Sequence, residues 1–155
     1  MSPEGRKSGT CELALQNPNR YPEARPALWR TWLGALLAEI APDADSFGVR
    51  FASDREVRRF NRELRGKDYA TDVLSFPGEE TFDGRHLGDV LISVPVARRQ
   101  AAERGHTVDR ELQILLLHGV LHCLGHDHET DDGRMERLER KLARRFLVDR
   151  SEAES

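Results

Sequence analysis

Cysteine is scarce in this chain of 155 residues: Cys11 and Cys123 are all it has, and they lie far apart. That argues against a disulfide framework and favours a reducing compartment. Long hydrophobic runs are also missing, since none approaches the roughly 18 apolar residues that a membrane-spanning helix needs. The opening MSPEGRKSGT has no apolar h-region of the kind that marks a secretory signal, so a cytoplasmic location is expected. Nor is there an excess of positive charge. The formal net charge is −3, which argues against coating nucleic acid by bulk electrostatics but leaves room for a local basic groove. Repeats, low-complexity tracts and linkers are absent too. The expectation is therefore one domain over 1–155, with a core at about 11–149 and polar tails at 1–9 and 150–155.

What the chain does have is a mixture of two periodicities. Cys11, Leu13 and Leu15 alternate with polar residues, as do Phe47, Val49 and Phe51, and both stretches read as strands. Trp29, Trp32, Leu33, Leu36, Leu37 and Ile40 recur at helical spacing, predicting a helix from about 22 to 41 that Pro42 ends. Ser53-Asp54-Arg55-Glu56 is a capping box. It opens a helix expected to turn Val57, Phe60 and Leu64 inward and to close at Gly66. Thr71 to Phe76 and Leu87 to Ser93 read as further strands, with a charged loop over 79–85 between them. Ser93 caps a short helix ended by Gly105, and Thr107 caps a long one whose Asp109 and Glu111 suit its dipole. A last helix is expected over about 132–148, with Met135, Leu138, Leu142 and Phe146 on one stripe. The fold class is α/β or α+β: one mixed, mostly four-stranded sheet covered by about five helices.

The chemistry concentrates in His118 to His128, HGVLHCLGHDH, which holds four of the chain's six histidines. His118 and His122 are one helical turn apart on the same face, a spacing at which two imidazoles grip one tetrahedral metal. The apolar run Ile114 to Leu117 just before them implies a buried helix. Unpaired imidazoles there would cost free energy that a metal relieves. A third ligand cannot lie one more turn along. His126 on a continuous helix would be about 12 Å of rise from His118, whereas two nitrogens on one zinc can be no more than about 4 Å apart. The chain must therefore break at Gly125 and return, after which either His126 or His128 is in reach. The spacing His-x3-His-x5-His, with Gly125 at the eighth position, matches the zinc pattern of metzincin proteases and favours His128. His126 is then a residue at the rim or behind the ligands. Three protein ligands leave the open position typical of a catalytic zinc. Cys123 points roughly 100° from its neighbour His122 and reads as a small buried hydrophobe. Where those proteases carry a general-base glutamate, this chain has Gly119.

Three segments together resemble the YbeY endoribonucleases of bacteria: LRGKDYATDVLSFP (64–77), LGDVLIS (87–93) and HGVLHCLGHDH (118–128). The resemblance spans most of the chain, in order and at similar spacing. It implies a zinc-dependent, single-strand-specific endoribonuclease acting in ribosomal RNA maturation, notably at the 3′ end of 16S rRNA, and in ribosome quality control. Its partners would be unpaired and ribosomal RNA, ribosomal particles and their proteins or an assembly GTPase, with no membrane and no DNA. The family's metal histidines carry over to His118, His122 and His128, and its functional arginine to Arg65. The chain departs from the family at His126, where tyrosine is common, and at Cys123, where leucine is frequent.

Cleavage of RNA develops charge on phosphate oxygens, and zinc both polarises such an oxygen and lowers the pKa of a bound water to about 7. Arg65 is the candidate to hold the phosphate, because a guanidinium is a planar two-pronged donor. The competing reading of Arg65 is a cation at a helix C-terminus. Asp72 and Asp127 are candidates to orient a ligand imidazole through its other nitrogen. Two basic clusters, Arg58/Arg59/Arg62/Arg65/Lys67 and Arg98/Arg99/Arg104, have a simpler reading as solvated helix faces. Two other function classes share the histidines: a metzincin-like metalloprotease and a non-catalytic metal-binding assembly factor. Against the protease stand Gly119 and the lack of a credible Met-turn, since Met135 lies on the stripe of the last helix.

Overall fold

We describe residues 11–67, 71–125 and 133–147 of a computed structural model of the chain. The first strand, β1 (Glu12–Gln16), leads through a 3-10 turn (Pro18–Arg20) to α1 (Pro26–Ile40). The helix starts at Pro26, later than its apolar spacing suggests, because a residue before proline is driven from helical to extended backbone. Arg25 is indeed extended. Then come β2 (Ser46–Ala52), α2 (Asp54–Arg65), β3 (Val73–Pro77), β4 (Glu80–Thr81) and β5 (Gly84–Ser93). Three helices finish the chain: α3 (Val94–Arg104), α4 (Val108–Cys123) and α5 (Arg134–Phe146).

The sheet has the order β1-β2-β5-β3, and β4 pairs with β5 off that path. β1, β2 and β5 run parallel, whereas β3 and β4 lie antiparallel to β5. The expected four strands and five helices are therefore all present, with one small strand added. That strand occupies the stretch predicted as a charged loop. Gly78 N–H donates to Leu87 O at 2.9 Å and His86 N–H to Glu79 O at 3.0 Å, closing a hairpin. The two-residue turn is Phe82-Asp83, and Gly84, with φ of 135°, opens β5.

One face of the sheet carries the main core. Phe47 and Val49 of β2 and Val90 and Ile92 of β5 pack against Trp29, Leu33 and Leu37 of α1 and Leu112, Leu116 and Val120 of α4. The other face holds a smaller cluster of Ala52, Val57, Leu74 and Leu91, with Phe60 and Phe76 half-buried against it. Here the expectation for α2 needs correction. Val57 is buried and Phe60 half-buried, but Leu64 is 61% exposed and Asn61 is buried in its place. The C-terminal turn of α2 projects beyond the cluster into solvent, and Gly66, with φ of 70°, turns the chain away from it.

α3 and α4 are tied together at a polar point. Glu111, fully buried, accepts from Arg104 Nη1 at 2.7 Å and from His106 Nε2 at 2.5 Å. Its place in the first turn of α4 favours its charge, and the two partners meet its buried carboxylate. Among the described residues no helix is long and apolar enough to cross a membrane.

Candidate metal centre

α4 begins where Thr107 Oγ1 accepts from Arg110 N–H at 3.1 Å. It ends at Cys123, where Leu124 N–H still reaches Val120 O at 3.0 Å and Gly125 follows with φ of 97°. The break expected at Gly125 is present. A Cβ at residue 125 would meet nothing within 4 Å, so the glycine serves the backbone angle and not the packing.

Two other glycines set how close α4 lies to the sheet. A Cβ on Gly119 would stand 2.9 and 3.1 Å from the two γ-methyls of Val90 and 3.2 Å from Ser75 Oγ. A Cβ on Gly88 would stand 2.6 Å from Cys123 Sγ and 2.7 Å from Phe76 O. The helix therefore presses onto β5 and β3 through Gly119 and Cys123. The Cys123 thiol is buried, and burial pushes its pKa up to about 12. At that value it is a packed thiol, not a thiolate ligand.

His118 and His122 lie on a different face of α4, half-buried. Their Nε2 atoms face each other at 3.0 Å, and their rings meet at 72° with centroids 4.5 Å apart. Behind His118, its Nδ1 lies 3.0 Å from Glu139 Oε2, a carboxylate brought in by α5. If Nδ1–H donates to Glu139, the lone pair of Nε2 points toward His122. This carboxylate–imidazole arrangement fixes tautomer and ring direction in metal sites. The donor set also fits zinc. Two zinc-bound imidazole nitrogens at bond lengths of about 2.0–2.1 Å sit roughly 3.3 Å apart in a tetrahedron, within a few tenths of the separation found.

His126, Asp127 and His128 lie outside the described residues, and no cluster of three metal donors forms among those that are described. Arg65 is exposed as the last residue of α2. The carboxylate of Asp72 takes hydrogen bonds from Thr71 Oγ1 at 3.4 Å and Gln100 Nε2 at 3.3 Å, while its carbonyl accepts from Ser93 N–H at 2.9 Å. The carboxylate on His118 is Glu139, which sequence reasoning passed over. It stands 21 residues along the chain, on a helix read only for its apolar stripe. Its position beside Leu138 and four before Ala143 carries no motif that spacing alone exposes.

A model of the family described as Endoribonuclease YbeY matches residues 16–147. An Endoribonuclease YbeY from Solibacter usitatus is 53% identical over 117 residues, covering 76% of this chain and 76% of that protein. Another from Anaeromyxobacter sp. is 44% identical over 138 residues, covering 87% of this chain and 71% of its own. Among solved structures, the solution structure of TM1509 from Thermotoga maritima superposes with a TM-score of 0.57 at 25% identity, covering 84% of each chain.

Proposed function

Because the chain belongs to the YbeY endoribonuclease family, we propose that it holds one zinc ion on His118, His122 and His128 and there cuts unpaired ribosomal RNA. The chain is an RNA-cleaving hydrolase of a family that processes ribosomal RNA. Its proposed roles are at the 3′ end of 16S rRNA and in the quality control of ribosomal particles, in the cytoplasm. The observation that carries it is the pair of Nε2 atoms converging at 3.0 Å with Glu139 behind one of them.

When bound, zinc supplies Lewis-acid polarisation of a phosphoryl oxygen and acidifies water in its open position. The chain's own groups do the rest. Glu139 holds the His118 ring and keeps its Nε2 free of a proton. Arg65, reaching into solvent from the end of α2, presents its fork to a phosphate and offsets charge as the bond breaks. His128 completes the ligand set after the turn at Gly125, with His126 at the rim and Asp127 as a further orienting carboxylate.

Gly119 tells against a protease. The position next to the first histidine faces Val90 and Ser75, where even a Cβ has no room. A general-base carboxylate has no place there. The test incubates wild type, His118→Ala, His128→Ala, His126→Ala and Arg65→Ala with single-stranded RNA, duplex RNA and unfolded protein, with and without chelator. Expected are chelator-sensitive cleavage of single strands only, loss of zinc in His118→Ala and His128→Ala, and zinc retained but cleavage lost in Arg65→Ala. Chelator-sensitive peptide hydrolysis, or zinc lost in His126→Ala but kept in His128→Ala, would overturn the reading or its third ligand.

A further inference from the structure

The net charge of −3 conceals a strong local excess of the opposite sign. Arg55, Arg58, Arg59 and Arg62 are exposed along the outer face of α2, opposite Val57 and Asn61. Their steps of three and four residues stack them on one helical face, and the next step of three is Arg65. Arg20 from the 3-10 turn and Arg50 from β2 join these four around an open groove of ≈ 640 Å³. Six guanidinium groups therefore line one concavity, and Glu56 is the acid among its lining residues. That carboxylate is already taken by Arg50, whose Nε lies 2.8 Å away.

Elsewhere many of the surface arginines are held in ion pairs. Arg25 pairs with Asp109, Arg85 with Asp43, Arg98 with Glu23, Arg104 with Glu111 and Arg145 with Glu39. The second basic cluster seen in the sequence, at 98–104, is thus spent on ion pairs, Arg99 meeting Asp54 at 3.7 Å. In the groove, by contrast, Arg20 and Arg55 have no acidic partner among the described residues, and Arg59 lies over the ring of Phe60 with 5.4 Å to its centroid. Cations at i, i+3 and i+4 repel one another, and an anion set among Arg20, Arg55 and Arg59 offsets that repulsion. One phosphate would satisfy two or three of these groups. A row from Arg55 to Arg65, about 15 Å long at 1.5 Å per residue, matches an extended polyanion. The groove lining includes no aromatic ring on which a base could stack.

We propose that the groove of Arg20, Arg50, Arg55, Arg58, Arg59 and Arg62 binds the sugar–phosphate backbone of an RNA strand and leads it along α2 to Arg65, without reading its sequence. This rests on the proposed function for the identity of the polyanion. The groove supplies affinity and register, and the metal centre supplies the cut.

The test measures binding of a fluorescent single-stranded oligouridylate of about 20 nucleotides by anisotropy, with chelator present to prevent cleavage, across a salt series. Arg55→Ala/Arg59→Ala is compared with wild type and with a charge-matched control, Arg25→Ala/Arg145→Ala. Loss of two phosphate contacts on a single strand should make the slope of log K against log salt shallower by about 1.4. At low salt the affinity should fall about tenfold or more, equally for an oligocytidylate, while the control keeps the wild-type slope. Thermal melts verify folding, and Arg58→Ala/Arg62→Ala replaces the first pair if that pair melts early. A wild-type slope in the groove variants, or an equal change in the control, would overturn the groove. Cleavage plays no part in this readout. A chain that cuts RNA but shows no slope change sinks the groove alone, whereas one that binds through the groove yet cuts nothing sinks the proposed function alone.

Discussion

The contact between Gly119 and Val90 invites a substitution whose consequence can be worked through. In Gly119→Ala the new methyl carbon would lie 2.9 and 3.1 Å from the γ-methyls of Val90, where carbon atoms prefer about 3.5–4.0 Å. Val90 cannot swing aside. It is β-branched, hence stiff at χ1, 1% exposed, and sits on β5 with β2 on one side and β3 on the other. So α4 must lift from the sheet by several tenths of an ångström. Overpacking of this kind costs about 1–3 kcal/mol, and alanine returns about 1 kcal/mol in helix propensity. The net loss is about 1 kcal/mol, which for a domain of this size lowers Tm by about 2–4 °C. His118 is the neighbouring residue, so the shift also spoils its alignment with Glu139, and zinc affinity should fall several-fold in a chelator competition. Adding Val90→Ala removes the obstructing methyls. The double variant should then bind zinc like wild type and lose less stability than the two single changes summed, with a coupling of about 1 kcal/mol. Gly119→Glu adds an unpaired buried carboxylate and should fail to fold or to hold metal, with no peptidase activity gained. If Gly119→Ala melts at or above wild type with unchanged zinc affinity, the close contact is not what positions α4.

Glu139→Ala should weaken zinc binding about 10–100-fold while leaving the melting temperature of the metal-free protein nearly unchanged. Glu139→Gln, which still accepts from the imidazole but carries no charge, should recover part of the affinity; equal affinity in all three proteins would remove Glu139 from the site. Arg98 donates to Glu23 at 2.6 and 2.7 Å and holds its carboxyl below the usual range. A depressed folded pKa contributes stability above the unfolded value and loses it as pH falls through the folded one. Arg98→Gln should therefore melt slightly below wild type at pH 7, by under about 1 kcal/mol for so exposed a pair, and converge with it in acid. A gap that persists at pH 2 would assign the effect to packing.

The helices and the break at Gly125 were legible because caps and apolar spacing act locally. Ser53, Ser93 and Thr107 each accept an amide hydrogen three residues on, as their positions imply. Leu64 was misplaced because periodicity says which side of a helix is apolar but not where its supporting sheet ends. The hairpin over 79–85 was missed because its strands pair through backbone groups in a charged stretch with no alternation. At the candidate metal centre, the meeting of the His118 and His122 imidazoles follows from four-residue spacing alone. Glu139 was not, since its role arises from the docking of α5 on α4, a tertiary event with no signature in either helix. The crowding at Gly119 was similarly invisible: the sequence shows a glutamate missing, and the structure shows a sheet where one would have to go.

The dependence of His118 on a carboxylate 21 residues later has a consequence for the chain's own synthesis. Ribosomes add about 5–20 residues per second, so His118 is made roughly 1–4 s before the group that aligns it. Throughout that interval, and until α5 docks, the nascent chain carries His118 and His122 side by side without the carboxylate that orients the first of them.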